Sequence, residues 1–305
     1  MKWTKRGLIL APQKTKFWNQ KYCMMPTPIH IPELGLIRIY FGTSDIQNNG
    51  VTSYIDVNED NPSIILNNTE EIALNYGNPG FFDDCGSIPS SILRFEKHYL
   101  LYYVGFQRCE KVPFMLFSGL AKSIDGLAFT RISNSPIIDR DVVNTISNAA
   151  PFVINDDGIY KMWFWMGKEW TKLNNKDYIK AEIFYATSND GINWSTSNEG
   201  CINLDEKFEF SVGRPYVLKE NGIYKMWYSI RYIDKLYRIG YAESVDGINW
   251  IRKDSDVGID ISESGWDCEM ICYPAVIKVK EKTFMFYNGN NNGESGFGFA
   301  ELLNN

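Results

Sequence analysis

A chain of 305 residues, 44% hydrophobic and 22% charged, can bury a large core, and its composition excludes a disordered polypeptide. Its formal net charge of −6 lacks the excess of basic residues that a nucleic-acid backbone demands, so no nucleic-acid partner is expected. No Pro/Gly/Ser-rich linker, charge block or low-complexity stretch divides it, which predicts one domain over 1–305.

The first segment, Met1 to Pro12, contains the apolar run Gly7 to Ala11, far shorter than a signal-peptide core or a membrane span. The expected location is therefore the cytoplasm, with no membrane span. The 6 cysteines are scattered without a CxxC pair, which suits reduced thiols. With only His30 and His98 as histidines, no zinc site is expected, and no motif calls for another metal or cofactor.

Self-similarity organises the remainder. An apolar strand with a proline recurs at Pro28, Pro89, Pro151, Pro215 and Pro274, at steps of about sixty residues. Each is followed by an aromatic-rich strand: Ile39-Tyr40-Phe41, Leu101-Tyr102-Tyr103, Met162 to Trp165, Met226-Trp227-Tyr228, and Met285-Phe286-Tyr287. A third strand comes next, as in Tyr185-Ala-Thr-Ser and Tyr241-Ala-Glu-Ser. In three units it enters an Asp-Gly turn: Ser123 to Phe129, Ser188 to Trp194 and Ser244 to Trp250.

The last unit stops one strand short, after Ala300-Glu-Leu-Leu. Trp3 to Leu10 repeats the pattern that follows the Asp-Gly turns, an aromatic, polar residues, then an apolar stretch, as in Phe129-Thr-Arg-Ile and Trp250-Ile-Arg-Lys. The expectation is an all-β, five-bladed β-propeller whose ring is closed when the N-terminal strand completes the last blade. The predicted blades are 23–66, 83–139, 145–204, 209–261 and 267–303, with 1–12 as the outer strand of the fifth.

The Ser-x-Asp-Gly-Ile-Asn-Trp runs at 188–194 and 244–250, Tyr-Lys-Met-Trp at 160–163 and 224–227, and Phe-Tyr-Asn-Gly-Asn at 286–290 carry a resemblance over essentially the whole chain. The sequence resembles the five-bladed glycosidase-like propellers, which include family 43 glycoside hydrolases, invertases and family 130 phosphorylases. The resemblance implies a site where the innermost strands begin. It also implies, in family 43, a base aspartate on blade one, an orienting aspartate on blade two and an acid glutamate on blade three. Only Asp84 stands in a matching place; blade one offers Cys23-Met-Met-Pro-Thr and blade three Thr145-Ile-Ser-Asn148.

Counting five positions back from each proline finds carboxylates in blades two and five alone, so Asp84 and Glu269 are the candidate acid/base or nucleophile pair. Asp83 and Asp84 read equally as a capped turn, and Glu269 as a buried carboxylate paired with an arginine. Arg214, directly before Pro215, and Arg231, after the Trp227-Tyr228 strand, are candidates to clamp a carboxylate or phosphate, or to pair with Glu209 or Glu269. His30 reads as a base, a phosphate ligand or a satisfied core histidine. Asp83, Asn148, Trp170, Tyr273 and Asn288 complete the substrate-binding set, with hydroxyl partners and a ring face for a sugar. The expected ligand is a carbohydrate or sugar phosphate. Two functions follow: an enzyme acting on a glycoside or activated sugar by hydrolysis, phosphorolysis or transfer, or a noncatalytic sugar-binding propeller.

Overall fold

A computed structural model describes residues 1–68, 71–95, 98–142, 144–173 and 175–303. It is nearly all β. The strands are β1 (Trp3–Leu10), β2 (Lys21–Ile31), β3 (Leu36–Ser44), β4 (Gly50–Asn58) and β5 (Ile65–Asn68). Next come β6 (Gly86–Phe95), β7 (His98–Arg108), β8 (Phe114–Ser123) and β9 (Thr130–Arg131). Then follow β10 (Ser147–Asp156), β11 (Ile159–Leu173), β12 (Lys176–Ser188) and β13 (Ser195–Ile202). The chain continues through β14 (Glu209–Glu220), β15 (Ile223–Tyr232), β16 (Arg238–Ser244) and β17 (Ile251–Arg252). It ends with β18 (Cys272–Val279), β19 (Lys282–Asn288) and β20 (Phe297–Leu302). Among the described residues no helix is long and apolar enough to cross a membrane.

These strands form two eight-stranded sheets and one of four. Each large sheet consists of two antiparallel meanders, β2–β5 with β6–β9 and β10–β13 with β14–β17. The meanders of a sheet touch through a single parallel bridge, Gly50 to Gly86 in one and Ala181 to Ser211 in the other. The third sheet has the order β1-β20-β19-β18. Its first member is the N-terminal strand, paired antiparallel with β20 from Trp3 opposite Leu302 to Leu10 opposite Phe297.

One aromatic device links successive meanders. The ring that follows an Asp-Gly turn stands edge-on to the second-strand aromatic of the preceding meander: Phe129 on Tyr40, Trp194 on Tyr102 and Trp250 on Trp163. That second-strand side chain donates to the turn glycine's carbonyl, Tyr40 to Gly126 at 2.6 Å, Tyr102 to Gly191 at 2.9 Å and Trp163 to Gly247 at 2.7 Å. Trp3 occupies the same position against Trp227, with centroids 6.3 Å apart and planes at 80°. The turns hold themselves together: Asp190 accepts from the amides of Ile192 and Asn193 and from the hydroxyl of Ser188, which holds its carboxyl well below the usual range.

Candidate functional site

The innermost strands β2, β6, β10, β14 and β18 meet around a cavity of about 620 Å³. Four of them slip register by one residue: between Met24 and Thr27, Ala149 and Phe152, Gly213 and Tyr216, and Cys272 and Ala275. In each slip sits a residue with left-handed backbone, Met25 (φ 54°), Ala150 (φ 50°), Arg214 (φ 52°) and Tyr273 (φ 54°), and each directly precedes a proline. Side chains rarely accept that conformation, and bulges of this kind re-aim side chains beside functional sites. All four line the cavity. In β6 the slip lies between Pro89 and Ser91, and the residue aligned with the left-handed position is Pro89, whose ring forbids positive φ. The structural register of the first meander is thus set by Pro26, two residues before Pro28.

In four of the five strands the partner of the residue preceding the left-handed position, or preceding Pro89 in β6, also lines the cavity: Gly42, Val104, Trp165 and Ser229. Trp165 donates its indole N–H to Ser211 at 3.0 Å. Gly213 lies against this indole, where a Cβ would come within 2.4 Å of the ring, so only glycine fits. Tyr178 and Tyr237 add ring surface, and Tyr237 packs 6.1 Å from Tyr273.

Two arginines enter this aromatic wall. Arg214 is 2% exposed. Its Nη2 donates to Pro26 O at 3.1 Å and Thr27 Oγ1 at 3.2 Å, whereas Nε and Nη1 have no partner among the described residues. Burial lowers its pKa to about 10. Arg231 lies over three rings, 4.4 Å from Tyr178, 4.9 Å from Phe210 and 5.1 Å from Tyr237. Burial pushes the Tyr273 phenol well up, so both arginines face neutral hydroxyls. Asp177 is the lone carboxylate in the described lining, and it is held by Lys172 at 2.9 Å near the surface.

The sequence candidates are therefore dispersed. Arg214, Arg231 and Tyr273 share the cavity; Asp84 and Glu269 are not among its lining residues. Asp84 sits in the loop before β6, accepting from Gly80 N at 2.9 Å with its Oδ1 buried and without a hydrogen-bond partner among the described residues. Glu269 is exposed, and its main chain is the part that bonds, to Asn290 and Arg238.

Four other candidates lie outside the described lining. Asp83 is wholly buried and accepts from Arg131 at 2.7 Å and Tyr103 at 2.9 Å, a structural ion pair away from the cavity. Asn148 spends its amide on Ser118 N and Ile138 O. Asn288 accepts from Met25 N and donates to Cys23 O and Gly296 O, tying β19 to β2. His30 meets Glu59 at 2.6 Å outside the cavity. Trp170 stands behind the lining, edge-on to the cavity residue Phe114 at 5.6 Å. The cysteines are all unpaired, and burial pushes the Cys23 and Cys272 thiols up, as befits packing residues.

Comparison with known proteins matches this arrangement at two depths. Uncharacterized protein Rv1502 of Mycobacterium tuberculosis strain H37Rv is 36% identical over 304 residues, covering 100% of both proteins. The chain belongs to the Rv1502 family. A second Rv1502-family sequence, uncharacterized protein MT1551 of M. tuberculosis strain CDC 1551, is also 36% identical over the same length. No protein-family model matches. Among solved structures, the complex of BT0996 with RGII has a TM-score of 0.74 at 18% identity, covering 97% of this chain and 90% of that one. A thermostable family-43 glycoside hydrolase gives 0.66 at 16%, covering 94% and 91%. The endo-arabinase of Bacteroides thetaiotaomicron gives 0.68 at 12%, covering 98% and 99%. The Rv1502-family chain thus has the fold of the glycoside-hydrolase propellers.

Proposed function

We propose that residues 1–305 form a single five-bladed propeller, closed into a ring by β1, that binds a carbohydrate in the central cavity. Each meander is one blade, and β18–β20 with β1 is the fifth. The observation that carries the function is the lining itself: ring faces from Trp165, Tyr178, Tyr237 and Tyr273 beside hydroxyls and guanidinium groups, in a volume of about 620 Å³. A sugar needs this mixture, because its C–H faces pack on aromatic rings while its hydroxyls need donors and acceptors. The RGII complex of one structural neighbour and the glycoside-hydrolase names of others agree with a glycan ligand. Titrating the full chain with a panel of mono- and oligosaccharides by isothermal titration calorimetry should give saturable binding. W165A should weaken that binding about tenfold. No saturable response to any sugar in the panel overturns the proposal.

A second reading, hydrolysis, phosphorolysis or transfer of a glycoside, is favoured by the unpartnered buried Oδ1 of Asp84. The two readings separate in one assay. For a binding propeller, D84N and E269Q retain wild-type affinity and the wild type releases no product. Loss of turnover in either variant with affinity intact would instead establish the enzyme.

A further inference from the structure

We infer that the cavity's ligand is anionic, and that its carboxylate or phosphate docks on Arg214; the carbohydrate part of that ligand rests on the reading above. Covered arginines outside the cavity wall have carboxylates: Arg38 has Asp56 at 2.7 Å, Arg131 has Asp83 at 2.7 Å, Arg238 has Asp260 at 2.8 Å and Arg252 has Glu209 at 2.6 Å. Arg214 is more buried than any of these and has none among the described residues. Its neighbours are the phenols of Tyr216 and Tyr273, both held neutral by burial. A guanidinium remains protonated at neutral pH even with its pKa brought down to about 10.

The group is also placed for use. Nη2 is anchored to β2, which fixes the guanidinium plane across the junction of β2 and β14. Nε–H and both N–H of Nη1 are left without acceptors in a cavity wall. Leaving buried donors and a buried charge unmatched is costly, and an incoming anion removes both costs together. The backbone at Arg214 adds to this, since φ 52° suits glycine better than arginine. Arg231 lies in the same cavity, and Asp177, the single carboxylate among the described lining residues, is already neutralised by Lys172. A protein with net charge −6 therefore keeps a positive pocket at its centre.

The test measures affinities of the full chain at fixed ionic strength for glucuronate, glucose 1-phosphate, glucose and orthophosphate, by isothermal titration calorimetry and by thermal shift. At least one charged sugar should bind about tenfold or more tighter than glucose, and R214M should erase that preference. Preference for glucuronate marks a carboxylate ligand; preference for glucose 1-phosphate with competition by orthophosphate marks a phosphate. Because R214M can fail to fold, the wild-type ranking stands as an independent readout, and R214K, which keeps the charge with fewer donors, should retain part of the preference. Glucose binding as tightly as both charged sugars overturns the anionic inference and leaves the carbohydrate reading standing. Orthophosphate binding that depends on Arg214, with no sugar bound, does the reverse. No binding of any probe overturns both.

Discussion

Deletion of residues 1–10 should abolish cooperative folding of the chain. β1 supplies the outer strand of the sheet that contains the C-terminal strands, and without it β20 becomes an open edge of unpaired amides and carbonyls. The strand is bound by more than its ladder. Trp3 is 7% exposed, donates to Val257 O at 2.9 Å and stands edge-on to Trp227. Lys5 reaches the buried Asp267 at 2.7 Å, which also accepts from Tyr287, so removing the strand leaves a buried carboxylate without its cation. Gly298 packs so closely on β1 that a Cβ there would lie 2.2 Å from Gly7 O. The point variant W3A isolates one part of this and should cost about 3–5 kcal/mol, the range for deleting a buried large aromatic. Thermal melts and size-exclusion chromatography of the truncated and W3A proteins provide the check. A truncated chain that stays monomeric and melts like the full one would remove β1 from any role in closure.

The pairing of β1 with β20 is legible in the sequence because it depends on a side-chain pattern. The aromatic after each Asp-Gly turn and its match at Trp3 follow from composition along a single strand, and Trp3 behaves in three dimensions as Phe129, Trp194 and Trp250 do. The cavity is less legible because it depends on register. Aligning the first unit on Pro28 instead of Pro26, and the second on Pro89, displaces the comparison of their inner strands, and one residue of slip turns a side chain to the other face. The bulge that decides which residue faces the cavity is a backbone event, visible in sequence only as the pairs Met25-Pro26, Ala150-Pro151, Arg214-Pro215 and Tyr273-Pro274. Counting five positions back from a proline therefore reaches loops, where Asp84 and Glu269 lie, while the lining begins one residue back. Arg214 and Tyr273 are recognisable because they stand at that position; Trp165 is hidden because its strand also contains Trp163, a packing residue of the same type.

The pair Asp83 and Arg131 should reveal the difference between a structural carboxylate and a site carboxylate. Asp83 is wholly buried, whereas the side chain of Arg131 retains 18% exposure and also donates to Asn75 O. The two ends of the pair are consequently unequal. R131A leaves a negative charge in the interior with Tyr103 as its remaining side-chain donor, and should cost about 3–5 kcal/mol. D83N removes the buried charge, keeps the side-chain shape and leaves Arg131 able to reach water, so its cost should be smaller, about 1–3 kcal/mol. The double variant D83N/R131A should then be more stable than R131A alone, because the second substitution removes the charge that the first exposed. Denaturant melts of the three variants measure this order directly. Ligand affinity per folded molecule should be the same in all of them, since neither residue lines the cavity. An R131A variant as stable as D83N, or a loss of affinity in D83N with its fold intact, would return Asp83 to the binding site.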